Sequence, residues 1–167
     1  MRSSHLALLS VLCAIGGLLS SGCDSADDEV DPGDVAGEYV FADFRFVPDS
    51  PLLPAAVLLD TLVASNTRLQ LFSSGRFTLL YQFAGTNPEF IGGDFDATLD
   101  RVRLIGREDE EEFYRQLLLG PEFTLRRDGP DAFSASIART VNLEDFSDRY
   151  TGLRSVAGVV MLELVRR

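Results

Sequence analysis

Period-two alternation, repeated between turn residues from Gly37 to the end of the chain, most limits what this sequence can fold into. In residues 37–47, Val40, Ala42, Phe44 and Phe46 alternate with Asp43 and Arg45. Successive side chains of a strand point to opposite faces, so the pattern predicts a half-buried strand. Pro48, Pro51 and Pro54 end it, because proline cannot donate to a ladder. Residues 68–72 and 77–83 flank Ser73-Ser74-Gly75 and predict a hairpin with Phe77, Leu79, Tyr81 and Phe83 on one face and Thr78 and Gln82 on the other. Residues 90–99 and 102–105 predict a second around Asp100-Arg101, with Phe95, Ala97 and Leu99 facing one way and Asp94, Asp96 and Thr98 the other. Residues 122–127 and 132–140 predict a third around Asp128-Gly129-Pro130, and the apolar run 157–165 a last strand. Residues 55–64, with Ala56, Leu59 and Val63 near helical spacing, read as a short helix or an extra strand. Residues 141–155 read as a long connection.

One stretch, 109–118, has helical character. Asp109, Glu110 and Glu111 suit the positive end of a helix dipole, and Glu111 sits four residues before Arg115. Phe113, Tyr114, Leu117 and Leu118 form its apolar stripe, and Gly120-Pro121 is the expected stop. About eight strands in simple succession with one inserted helix predict a mainly β chain closed as an up-and-down antiparallel barrel, since closure removes exposed sheet edges. No fixed-period repeat points to a propeller or solenoid.

Gly37-Glu38-Tyr39 opening the first strand, the long apolar first connection, and paired strands such as Gly75-Arg76-Phe77-Thr78 resemble a small bacterial lipocalin-like lipoprotein. Tyr39 stands where that family usually has Trp, and the helix interrupts the strand series instead of following it. The resemblance implies a lipocalin-like barrel over residues 36–167, with residues 51–64 across its mouth. Leu52, Leu53, Leu58 and Leu59 then act as a lid or plug the barrel end. Phe44, Phe46, Phe77, Leu79, Tyr81, Phe83 and Phe95 line the interior, where they either fill the barrel or leave room for one small ligand.

Ahead of the barrel, Arg2 precedes an apolar run over residues 6–19, shorter than the about 20 residues needed to span a bilayer. The small residues Ser20-Ser21-Gly22 follow, then Cys23. This resembles the lipobox of bacterial lipoprotein precursors, with Ser20 where the family prefers Leu and Leu19 one place earlier. The resemblance implies that residues 1–22 are removed as a lipoprotein signal peptide. Cys23 then carries covalent diacylglycerol and an N-acyl lipid such as palmitate. The membrane and the lipoprotein processing and export machinery are the implied partners. The implied location is the bacterial cell envelope, at the outer membrane, with the cell surface or the periplasmic face of the inner membrane as alternatives. The competing reading is an ordinary secretory signal that leaves Cys23 a free thiol, a liability in an oxidising compartment. Two or three acyl chains, at about 0.8 kcal/mol per buried methylene, hold a protein at a membrane effectively permanently. Residues 23–35 are acidic with little to bury and read as a flexible tether, or equally as an acidic surface-export signal. Asp24, Asp27, Asp28 and Asp31 lack the alternation and distal Glu of an EF-hand calcium loop.

Loss of residues 1–22 removes His5, the single histidine, and leaves Cys23 the single cysteine. Ser-His-Asp and Cys-His nucleophilic sites need an imidazole base, and His/Cys zinc sites need ligands that are gone. No catalytic residue, metal ligand or cofactor beyond the lipid is therefore expected. Asp94 and Asp96 share a strand face and are the one candidate carboxylate pair, although solvent exposure accounts for them equally. Arg45 beside Asp43 either anchors a ligand carboxylate or forms a cross-strand ion pair. The formal charge of −11, more negative still without Arg2, disfavours nucleic acid. All 15 Lys+Arg residues are arginine, which fits a high-salt or GC-rich origin. The functional expectation is a lipid-anchored, non-catalytic barrel that binds a small apolar or amphipathic molecule. The alternative is a filled barrel serving as an assembly module of the envelope through an exposed apolar patch.

Overall fold

A computed structural model describes residues 29–167. The expected signal peptide, Cys23 and the first residues of the acidic stretch lie outside the described residues. The chain runs through α1 (Pro32–Val35), β1 (Gly37–Pro48), β2 (Ala56–Val57), β3 (Arg68–Leu71), β4 (Arg76–Tyr81), β5 (Glu89–Ala97) and β6 (Arg101–Gly106). It continues through α2 (Glu111–Gln116), β7 (Glu122–Arg127), β8 (Ala132–Val141) and β9 (Val156–Arg166). Each long strand pairs antiparallel with the next, and β9 returns to pair with β1, so eight strands close into an up-and-down barrel with β2 as an added short strand. Closure follows from the alternation: every strand has one apolar face, and a closed sheet buries all of those faces together without leaving an edge.

The predicted elements appear with adjustments that have local causes. β1 carries a bulge between Phe41 and Asp43. An extra residue reverses which side chains point inward, so Tyr39, Phe44 and Phe46 are all buried while Val40 is half-buried and Ala42 exposed. An unbroken alternation from Val40 to Phe46 is thereby corrected. Residues 55–64 contain both expected forms, the strand β2 and a 3₁₀ turn at Leu59–Thr61. The helix begins as a 3₁₀ turn, Glu108–Glu110, and ends at Leu117, before Gly120-Pro121. Leu118 takes the left-handed conformation (φ 57°) in which glycine is usual. The Leu119 N–H then donates to the Tyr114 carbonyl at 2.9 Å and the Leu118 N–H to the Arg115 carbonyl at 2.9 Å, a Schellman closure.

The two barrel ends differ. At one end the turns are short: residues 72–75, 98–100 and 128–131. Here α1 closes the barrel, with Val35 buried and its carbonyl accepting from the Tyr39 hydroxyl at 2.8 Å. Residues 29–35, expected to be part of a flexible tether, are docked. Glu29 bridges Thr98, and the Val30 N–H donates to the Ala97 carbonyl at 3.1 Å. Val30 and Val35 have apolar surface to bury, which the acidic composition of the stretch obscured. At the other end lie all four long connections: residues 49–67, 82–88, 107–121 and 142–155.

Candidate functional site

The long-connection end holds a cleft of about 800 Å³. Its apolar wall is Val57, Phe83, Phe146 and Tyr150; its polar groups include Thr61, Gln116, Asn142 and Arg149. Each of the four long connections contributes, as expected of loops positioned by a rigid barrel. Arg149 makes no ion pair among the described residues, whereas Arg115, also on the cleft, is held by Glu111 at 2.9 Å and Glu112 at 2.7 Å. Arg149 thus presents a cation with no ion pair among the described residues beside the aromatic wall, on a cleft that also carries the carboxylates Asp60, Glu112 and Asp145.

α2 forms one wall because it completes the sheet. β6 pairs with β5 only as far as Gly93. Next to that point, the Glu110 carboxylate accepts from the Gly92 N–H at 2.8 Å, and the buried Tyr114 hydroxyl donates to the Gly92 carbonyl at 3.2 Å. These side chains take over the ladder where the neighbouring strand ends. A second break lies opposite. β7 and β8 pair only at Arg126↔Ser134 and Arg127↔Phe133, and above them Arg139 Nε donates to the Leu118 carbonyl at 3.0 Å. The guanidinium ties β8 to the end of α2 at the cleft rim.

Below the cleft the barrel is filled. Phe44, Phe46, Phe77, Leu79, Tyr81 and Phe95, six of the seven expected interior residues, are each at most 4% exposed and belong to one packed cluster. The seventh, Phe83, is half-buried and lines the cleft, its ring 5.7 Å from that of Tyr81. The lid residues divide: Leu58 is buried, Leu53 and Leu59 are half-buried, and Leu52 is 89% exposed. Asp94 and Asp96 point outward, opposite Arg76 and Arg103. Arg45 pairs with Asp43 at 3.1 Å along β1 itself, so the expected cross-strand pairing is corrected to one within a strand. Neither pair touches the cleft. The sequence reading missed Gln116, Asn142, Phe146, Arg149 and Tyr150. The length of the 141–155 connection was the available signal for the last four.

The Tyr81 hydroxyl donates to Gln116 Oε1 at 3.0 Å and so links the filled interior to the cleft. Burial pushes it up to about 12, with Glu89 and Glu112 adding to the effect. Burial also raises Tyr114, helped by Glu110 and opposed by Arg107. An unfolded tyrosine ionises near 10. Above that pH the unfolded chain releases protons that the folded chain retains, so stability present below pH 10 falls as pH rises toward the folded values. Tyr81 alone is expected to cost about 2 kcal/mol between pH 10 and 12. Urea midpoints measured from pH 8 to 12 check this, and Tyr81→Phe is expected to decline less steeply than the parent.

Among the described residues, no group of three or more His, Cys, Asp or Glu side chains is placed to hold a metal ion. The chain matches no protein-family model and no curated protein sequence.

Proposed function

We propose that this chain is a lipid-anchored, extracytoplasmic bacterial lipoprotein, held at the outer membrane through Cys23, whose barrel binds a small amphipathic molecule and catalyses no reaction on it. The observation that carries the binding reading is the cleft itself: concave, with an aromatic wall of Phe83, Phe146 and Tyr150 facing a polar side that includes Arg149, Gln116 and Asn142 and the carboxylates Asp60, Glu112 and Asp145. Because the interior is filled, the proposed ligand sits in the mouth and not deep in the barrel. An apolar tail lies against Phe83, Phe146 and Tyr150, and an acidic or hydrogen-bonding head meets Arg149. The anchor rests on the resemblance of Ser20-Ser21-Gly22-Cys23 to a lipobox, and the lipocalin-like reading on Gly37-Glu38-Tyr39 and the barrel.

The test is titration with a dansylated fatty acid. The parent is expected to bind it with enhanced blue-shifted emission. Phe83→Asp with Phe146→Asp is expected to lose at least ten-fold in affinity, because both aromatic contacts become charged. Phe90→Asp, an exposed outer-face change, is expected to leave binding unchanged. Equal binding by all three proteins contradicts the site.

A further inference from the structure

We infer that the amphiphile held in the cleft is zwitterionic: its acidic group meets Arg149 and two amide donors, and its cationic group meets Asp60 and Asp145. The inference rests on the proposed binding reading and adds to it the chemistry of the head group.

Three observations carry it. The first is charge. Five charged side chains line the cleft: Asp60, Glu112, Arg115, Asp145 and Arg149. Two of them satisfy each other, because Arg115 bonds Glu112 at 2.7 Å and the neighbouring Glu111 at 2.9 Å. The other three, Asp60, Asp145 and Arg149, make no ion pair with any described residue, so each lies more than 4.0 Å from an opposite charge. Both signs therefore share one cleft without closing on each other. A head that is only acidic compensates Arg149 but meets two carboxylates of its own sign. A head that is only basic compensates those carboxylates but meets Arg149. A head with both signs gives each of the three an opposite charge to face.

The second is hydrogen bonding, which divides the polar groups in the same way. Gln116 Oε1 accepts from the Tyr81 hydroxyl at 3.0 Å, and Asn142 Oδ1 accepts from the Ser155 N–H at 3.0 Å. Each amide has its oxygen engaged by the protein, which leaves its NH2 as the group offered to a ligand. With Arg149 these donors suit an acidic group. Asp60 and Asp145 supply carboxylate acceptors, which suit an ammonium.

The third is placement. Asp60 lies on the 3₁₀ turn Leu59–Thr61 of the first long connection, and Asp145 and Arg149 lie on two such turns, Leu143–Asp145 and Asp148–Tyr150, of the last. In that last connection Asp145 immediately precedes Phe146 and Arg149 immediately precedes Tyr150. Each sign is thus carried next to a ring of the aromatic wall, where the head of a molecule whose chain lies on that wall is found.

Three amphiphiles with the same dodecyl chain length test this by calorimetric titration of the full chain below their micelle concentrations: the betaine N-dodecyl-N,N-dimethylglycine, dodecanoate and dodecyltrimethylammonium. The betaine is expected to bind about five-fold more tightly than either singly charged amphiphile. Asp60→Asn with Asp145→Asn is expected to weaken the betaine and the ammonium several-fold and to leave dodecanoate bound at least as tightly as before. Arg149→Gln is expected to weaken the betaine and dodecanoate, and not the ammonium. Such opposed responses separate a lost charge contact from a variant that fails to fold, which loses all three ligands; the ranking in the parent decides in that case. A singly charged amphiphile bound by the parent as tightly as the betaine, or a betaine affinity unmoved in either folded variant, overturns the zwitterionic head and leaves the amphiphile reading standing. Binding of none of the three, or of chainless glycine betaine as tightly as of its dodecyl counterpart, overturns the amphiphile reading and the inference with it.

Discussion

Tyr39→Ala is expected to destabilise the barrel by about 3–5 kcal/mol, read as a lowered urea midpoint, because it removes the side chain that closes the short-turn end. Tyr39 is fully buried, and its ring lies 4.8 Å from that of Phe133. Its hydroxyl donates to the Val35 carbonyl at 2.8 Å and accepts from Arg166 Nη2 at 2.9 Å. The Arg166 guanidinium also lies over the ring, 5.4 Å from its centroid, and bonds the Ala36 carbonyl at 3.1 Å. One residue thus joins α1, β1, β8 and β9 at the point where the sheet closes on itself. Truncation leaves a cavity and strands two polar groups. Tyr39→Phe separates the two effects. It keeps the ring and leaves the Val35 carbonyl without its donor, for an expected loss of about 1–2 kcal/mol. A Tyr39→Phe loss equal to that of Tyr39→Ala would mean that the hydrogen bonds, and not the packing, hold this end.

Gly106→Ala is the second large effect, expected to cost about 3 kcal/mol although it removes nothing. A Cβ at Gly106 would lie closer than 3.0 Å to the ring and hydroxyl of Tyr114. Tyr114 cannot give way easily, being fully buried with its hydroxyl on the Gly92 carbonyl. The methyl group therefore displaces α2 from the sheet. Since α2 carries Gln116 and Arg115 on the cleft, fatty-acid binding is expected to weaken along with stability. Tyr114→Ala is destabilising in its own right, but it empties the space that the Gly106 methyl would occupy. The double variant is thus expected to be no less stable than Tyr114→Ala alone, and this non-additivity is the signature of a direct clash. Additive losses would show that Gly106 is required for another reason.

The barrel was legible in the sequence because its signal is local. Phe77, Leu79, Tyr81 and Phe83 recur at every second position, and the turns at Ser73-Ser74-Gly75 and Asp128-Gly129-Pro130 mark where the chain reverses. The phase of β1 was not legible. Its bulge depends on how β9 pairs across 120 or so residues of chain, and a shift of one residue sends Tyr39 inward and Ala42 outward. The helix end was misplaced for a related reason. Gly120 is the residue a left-handed cap prefers, but Leu118 takes that conformation, with its carbonyl held by Arg139 from a distant strand.

The candidate site was legible only in outline. Seven strand residues were expected either to fill the barrel or to leave room for a small ligand, and six of them, five aromatic and Leu79, fill the core, since an eight-stranded barrel has an interior just wide enough for its own side chains. The residues that shape the cleft come from loops. Phe146, Arg149 and Tyr150 lie in a connection with no periodicity, and only the folded chain brings them opposite Phe83 and Gln116.

Native mass spectrometry of the protein recovered from its own envelope fraction tests the central proposal most directly, because it reads the anchor and the cleft in one spectrum. The expected spectrum shows a chain beginning at Cys23 with the mass of a diacylglycerol and an acyl chain. It also shows a non-covalent amphipathic adduct that is absent from Phe83→Asp with Phe146→Asp. An unmodified cysteine, or an adduct retained in full by that double variant, would contradict it.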